Sequence, residues 1–248
     1  MNAQMIAGAK LGTAWLLDFV LPPRCAGCGT IVDTLHSFCA RCWTGIDFLG
    51  AGGCGTCGLP LSGTEMDCCA ACLADPPPIE RARAAVAYDD VTRGLPLKLK
   101  YGRKVAVAKT MARFMAPLVE VSDGRAVLAP VPLHPRRLWQ RGFNQSAVIA
   151  QELSRQTGLA HDPMLLKRTK ATPPLRGLSG SQRRRTVAGA FAVRGAGAVT
   201  DRTIILVDDV YTTGSTAEAC ARTLLKSGAA SVHLISWARV VRPSQLMR

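Results

Sequence analysis

Two groups of residues have the types and spacing to do chemistry. The first is the run Ile204-Ile205-Leu206-Val207-Asp208-Asp209-Val210-Tyr211-Thr212-Thr213-Gly214-Ser215-Thr216, where four apolar residues lead into two carboxylates and a loop of small hydroxyl residues. Adjacent carboxylates at a strand end can accept hydrogen bonds from neighbouring sugar hydroxyls and help neutralise a magnesium shell. A small-residue loop that opens a helix supplies converging amide donors, which is what a phosphate needs. Gly214 allows the backbone to approach such a ligand closely, and Thr212, Thr213, Ser215 and Thr216 add hydroxyls. An acidic turn and a Ser/Thr helix cap would account for Asp208 and Asp209 alone, but not for the whole run.

The second group is cysteine. Nine of the ten cysteines lie between Cys25 and Cys72, with Cys220 outside. Cys25-x2-Cys28 and Cys39-x2-Cys42 form one four-thiolate set, and Cys54-x2-Cys57 and Cys69-x2-Cys72 repeat it. Two such knuckles can close a tetrahedral zinc site with no open position, so the expected role is structural or a partner surface, not catalysis. Gly27, Gly29, Gly55 and Gly58 suit the tight turns. Cys68 competes with Cys69 as a ligand. A disulfide framework would suit an exported chain, and no export signal is visible; an iron-sulfur cluster fits this two-knuckle spacing less well than zinc does.

The elements that must position these groups are legible in outline. Asp75-Pro76-Pro77-Pro78 reads as a linker, dividing residues 1–78 from 79–248. Beyond it, apolar runs at Ala84–Tyr88, Ala126–Val131, Thr203–Val207 and Val232–Trp237 predict strands. Periodic segments at Val105–Val119, Gln145–Thr157 and Thr216–Ser227 predict helices. Strands alternating with helices imply an α/β fold with a parallel sheet covered on both faces, whose ligands sit at the carboxyl ends of strands. The stretch from Leu11 to Leu21, interrupted by Asp18, is too short to span a bilayer and a poor secretory signal. It predicts a short amphipathic helix packing Trp15, Leu16, Phe19 and Val20, with no membrane insertion and a cytoplasmic location.

The formal charge of +14 is unevenly placed. Residues 1–78 hold three basic and six acidic side chains, whereas the remaining 170 hold 28 basic and 11 acidic. The excess peaks between Arg136 and Arg185, where eleven Lys or Arg face only Glu152 and Asp162. A field of that sign draws phosphates, on a small substrate or on a nucleic-acid backbone. The larger segment is therefore expected to face the anion, while the acidic cysteine module is a poor grip for DNA.

The thirteen-residue run resembles the signature by which phosphoribosyltransferases bind phosphoribosyl pyrophosphate (PRPP). The segment Val131 to Gln145, which contains His134-Pro135-Arg136-Arg137 and Arg141-Gly142-Phe143-Asn144-Gln145, is similar to the corresponding loop of the ComF family, which includes the GntX-like proteins. So are Leu99-Lys100-Tyr101-Gly102 and the run Leu178 to Phe191. The resemblance implies a type I phosphoribosyltransferase-like fold, with a parallel sheet flanked by helices, behind a double zinc ribbon. It also implies an association with natural competence, DNA uptake and cytoplasmic handling of single-stranded DNA. Leu175 and Thr186 stand where the family often has Gln and Asn.

In such a site Asp208, Asp209, Tyr211, Thr212, Thr213, Gly214, Ser215 and Thr216 would bind PRPP with its magnesium. Arg136, Arg137 and Arg141, joined by Lys100, would meet the pyrophosphate end through paired donors. His134, between prolines, is expected to pack the loop. Arg183, Arg184 and Arg185 are candidates for nucleic acid, against an exposed basic helix face. No stretch reads as a nucleobase hood, so catalytic residues are not assigned. Three functions fit: a PRPP-binding competence protein that touches single-stranded DNA, a phosphoribosyltransferase acting on an unidentified acceptor, and a regulatory binding module with a protein partner at the zinc ribbons.

Overall fold

Apolar runs such as Ile204 to Val207 must be buried on both faces, and a parallel sheet between helix layers does this. The computed structural model describes residues 22–50, 52–61, 67–102, 104–120, 125–172, 180–195 and 197–241. Strands β1 (Arg81–Ala87), β2 (Val127–Pro130), β3 (Ala160–His161), β6 (Thr203–Tyr211) and β7 (Ser231–Arg239) form one sheet in the order β1-β7-β6-β2-β3. Every neighbouring pair is parallel. β4 (Leu166–Arg168) and β5 (Phe191–Val193) make a separate antiparallel pair. The helices are α1 (Ala40–Thr44), α2 (Ala70–Ala74), α3 (Gly94–Gly102), α4 (Val107–Met115), α5 (Pro135–Arg141), α6 (Gln145–Thr157), α7 (Gly180–Val187) and α8 (Ser215–Lys226).

Side chains alternate across the sheet as strand geometry requires. Ile204 and Leu206 join a core with Val232, Leu234 and the α8 residues Ala217, Cys220 and Leu224, while Ile205 and Ile235 face Leu118 on the other side. Helix α6 keeps the expected bounds; it buries Ser146, Ile149, Ala150 and Leu153 along one stripe. The helix expected over Val105–Val119 is α4 followed by a 3-10 turn at Ala116–Leu118, where Pro117 cannot continue the α-helical ladder.

Besides the short helices α1 and α2 among the cysteines, two helices of the larger segment were not expected. α3 carries Gly94 and Pro96, poor helix formers, and starts with Leu95, Pro96 and Leu99 buried. The Pro- and Arg-rich stretch after β2, expected as a loop, contains α5. The strand expected to stop at Val207 runs on to Tyr211, because β7 continues to pair with it through Asp208, Val210 and Tyr211.

The chain divides into two compact units, Met1–Gly45 and Ile46–Arg248. The first holds the Cys25 tetrad; the second holds the Cys54 tetrad together with the sheet, and Pro76–Pro78 lie within it. The helix expected around Trp15, Leu16, Phe19 and Val20 lies outside the described residues, as does Leu175. Among the described residues no helix is long and apolar enough to cross a membrane.

Candidate functional site

The strand order sets the place of the site. From β2 the chain moves outward to β3, whereas from β6 it moves the opposite way to β7, so the switch falls between the adjacent strands β2 and β6. A crevice opens at such a switch beyond the carboxyl ends of the strands. There the segment after Val131 and the segment from Asp208 to Thr216 meet. Asn144 joins them to the sheet: its Nδ2 donates to the Val131 carbonyl oxygen at 3.0 Å, and its Oδ1 accepts from the Ser146 amide at 3.1 Å as the N-cap of α6.

The two aspartates have different surroundings. Asp208 Oδ1 accepts from the Ser146 hydroxyl at 3.0 Å and from the Asp209 amide at 2.9 Å. Asp209 is buried and forms an ion pair with Lys100 of α3. Lys100, expected at the pyrophosphate end, thus neutralises one carboxylate of the pair. Burial pushes the Asp208 carboxyl up to about 7, and the Asp209 charge adds to this, while Lys100 and the two hydrogen bonds pull the other way.

The loop turns through Gly214 at φ +79°, a left-handed conformation that favours glycine, directly into α8. A Cβ on Gly214 would fall 2.9 Å from the Tyr211 hydroxyl oxygen and 3.0 Å from Glu218 Oε1, so the turn closes onto the tyrosine ring. The Thr213 and Ser215 hydroxyl oxygens lie 3.1 Å apart, and Thr212 is exposed. Tyr211 is buried under Arg239, whose guanidinium carbon is 4.7 Å from the ring centroid. Burial pushes the Tyr211 phenol up to about 12, against the pull of Arg239.

α5 gives the arginine segment two faces. Pro135 takes its first position, His134 Nδ1 accepts from the Arg136 amide at 3.2 Å as N-cap, and Gly142 ends it at φ +81°. His134, expected to pack a loop, instead caps a helix. Arg137 and Arg141, four residues apart and half-buried, share one side of the helix. Arg141 Nη1 donates to Gln145 Oε1 at 3.1 Å, and Arg137 is close enough to Arg168 for its charge to lower that buried guanidinium's pKa, after burial itself. Arg136, Trp139 and Gln140 are exposed on the other side and, with Pro135, line an open concavity.

The remaining basic candidates lie elsewhere. Arg184 lines a groove with Arg222, Thr223 and Lys226 along the carboxyl half of α8, at the opposite end of that helix from Gly214. Arg185 is exposed, and the side chain of Arg183 is outside the described residues, as are those of Ser179 and Ser181. Thr186 donates back to the Gln182 carbonyl oxygen at 2.8 Å. Sequence reasoning did not single out Ser146 or Trp139. Asn144-Gln145-Ser146 did carry the signal of a helix N-cap, but nothing local links Ser146 to Asp208.

In each cysteine set four sulfur atoms lie within 4.8 Å of one another: Cys25, Cys28, Cys39 and Cys42, and Cys54, Cys57, Cys69 and Cys72. Cys28–Cys39 and Cys57–Cys69 are each 3.7 Å apart, close to the ~3.8 Å that tetrahedral zinc–thiolate bonds of about 2.3 Å produce. Backbone amides of Cys39 and Cys69 donate to Cys25 and Cys54 sulfur at 3.2 and 3.3 Å. Such donors stabilise metal-bound thiolates, so both sets fit zinc. A Cβ on Gly27 would come within 2.9 Å of Cys42 sulfur, which explains that glycine. Cys69, not Cys68, completes the second set.

Residues 16–73 match the model of the double zinc ribbon domain. The chain is 36% identical over 189 residues to the DNA utilization protein YhgH of Escherichia coli K12, covering 73% of this chain and 81% of that protein. It is 29% identical over 226 residues to competence protein F of Haemophilus influenzae, covering 87% of this chain and 96% of that one. The B. subtilis glutamine PRPP amidotransferase structure overlays 52% of this chain and 25% of its own at 20% identity and a TM-score of 0.35. The α/β chain with its cysteine tetrads belongs to the ComF family. Its fold is a five-stranded parallel sheet flanked by helices, with two cysteine tetrads that fit zinc towards the amino terminus.

Proposed function

We propose that the protein binds PRPP or a related ribose phosphate, with magnesium, at the β2–β6 switch and contacts single-stranded DNA beside it, as a cytoplasmic competence-type protein. The observation that carries the reading is the pair Asp208 and Asp209 on β6, just past the last β2 partner at Val207 and a short loop ahead of the glycine turn that opens α8. The carboxylates accept from ribose hydroxyls, the amides from Tyr211 to Thr216 hold the 5′-phosphate, and Arg137 and Arg141 meet the pyrophosphate. Magnesium arrives with PRPP and supplies charge neutralisation. Lys100 exchanges Asp209 for an incoming phosphate or stays to balance the carboxylates.

The DNA half of the reading is supported by the outward face of α5. Trp139 is 88% exposed and stands between Arg136 and Gln140. A bare indole beside a guanidinium is the combination that stacks a base and neutralises its phosphate without reading sequence. The names of the relatives, which speak of DNA utilization and competence, agree with it.

The test is calorimetric titration with PRPP and magnesium, then with an oligothymidylate in the same buffer. Wild-type protein binds both, and Asp208→Asn with Asp209→Asn weakens PRPP binding by about 1 to 3 kcal/mol through loss of charged hydrogen bonds. PRPP affinity unchanged by the double substitution would show that the ligand lies elsewhere. Pyrophosphate release dependent on one added acceptor would make the protein a phosphoribosyltransferase instead.

A further inference from the structure

We infer that Arg239 is a positioning residue that ties the second cysteine tetrad to the phosphate loop, so that metal in that tetrad sets how firmly the loop holds its anion. The inference rests on the reading that Asp208 to Thr216 binds a ribose phosphate. Tyr211 and Arg239 are register partners on the parallel strands β6 and β7, so their side chains leave the same face of the sheet. Arg239 lies over the Tyr211 ring at 4.7 Å and turns its donors the other way: Nη1 to the Cys57 carbonyl oxygen at 2.5 Å and Nη2 to the Cys57 sulfur at 3.5 Å. One planar group thereby touches both a zinc-ligand residue and the floor of the phosphate loop.

The linkage continues to the ligand. The Tyr211 ring sits where a Gly214 side chain would be, so a shift of the ring moves the turn whose amides face the phosphate. Arg239 is 94% buried, taking its exposure of 6%, and a buried guanidinium keeps its place only while its partners keep theirs. Cys57 would be tethered to Cys54, Cys69 and Cys72, which are all buried, by a zinc ion bound among them. The tetrad is further seated on β1, where the Ala82 amide donates to the Thr56 carbonyl oxygen at 2.6 Å and Arg83 Nη1 to that of Cys54 at 3.3 Å. Those bonds hold the tetrad to the sheet; Arg239 carries its position to the loop.

Arg239→Met in the zinc-loaded full chain is the test, since Met keeps much of the length and packing but has no donors. Zinc content should stay at the wild-type value and the amides of Ile204 to Leu206 should keep their hydrogen-exchange protection. Amides from Tyr211 to Thr216 should exchange faster, and affinity for PRPP with magnesium should fall about five- to tenfold. Stripping zinc from the second tetrad should speed exchange at Tyr211 to Thr216 in wild type and add little in Arg239→Met, the non-additivity of a shared route. Unchanged loop exchange in Arg239→Met, or an equal response of both proteins to zinc removal, overturns the inference. If Arg239→Met does not fold, Arg239→Lys keeps the charge, loses the two-pronged donation and is judged by the same outcomes. A wild-type protein that ignores PRPP would refute the ribose-phosphate reading, while the exchange measurements still decide the linkage.

Discussion

Ser146 and Asp208, 62 positions apart in the chain, are joined by a hydrogen bond of 3.0 Å from the serine hydroxyl to Oδ1. It ties the first turn of α6 to the end of β6, the two sides of the crevice. The bond is stronger when Asp208 is ionised than when it is protonated. Ser146→Ala should therefore cost about 1 to 3 kcal/mol of stability at pH 8 and less at pH 5, measured by urea unfolding. An equal loss at both pH values would mean that the carboxylate charge is not what the hydroxyl serves.

Asp208 titrates in the folded protein near 7, above its ordinary 3.8, chiefly because of burial. A carboxyl raised in this way favours folding in its protonated form: the benefit is complete below about 4 and is lost as pH climbs through 7. Asp208→Asn should thus stabilise the unliganded protein at pH 8, by on the order of 1 kcal/mol, with little effect at pH 4. Donors on a bound ribose favour the ionised carboxylate, so wild type should release protons on binding PRPP with magnesium near pH 7. Calorimetry in two buffers of different ionisation enthalpy measures that release; none in wild type, or the same release in Asp208→Asn, would remove Asp208 from the ligand contact.

The two sides of α5 should separate by function. Arg137→Gln and Arg141→Gln should weaken PRPP binding and spare oligothymidylate, whereas Arg136→Gln and Trp139→Ala should do the reverse. Loss of a stacked base is worth about 1 to 3 kcal/mol, and Trp139→Phe should recover part of it. Indistinguishable binding profiles for the two pairs would show that the helix does not divide its work.

The tetrads should differ in how readily they give up metal. Cys28 is exposed and Cys39 half-buried, while all four cysteines of the second set are buried. Zinc release to a coloured chelator under reducing conditions should therefore be biphasic, the Cys25 set emptying first and losing its structure as it does. Cys28→Ser should remove the fast phase and leave the slow one.

Much of the site was readable along the chain because its chemistry is local. Ile204 to Thr216 keeps strand, carboxylates, turn and helix start in thirteen consecutive residues, and the cysteine knuckles come as pairs with two residues between them. The helix in the arginine segment was less visible, though Pro135 at its first position and Gly142 after its end are the proper boundary marks. Seven residues, four of them polar and none buried, offer no apolar period to read.

By itself the sequence determined the alternation of the main strands and helices, the first cysteine set and the run of carboxylates and small residues that opens α8, since each depends on residues near one another in the chain; the choice of Cys69 over Cys68 came from the fold. Only the tertiary structure decided that Lys100 pairs with Asp209, that Ser146 holds Asp208, and that Arg239 joins Cys57 to Tyr211. Those contacts depend on which helices and loops pack over the ends of the parallel strands, and that packing brings together residues that no local pattern relates.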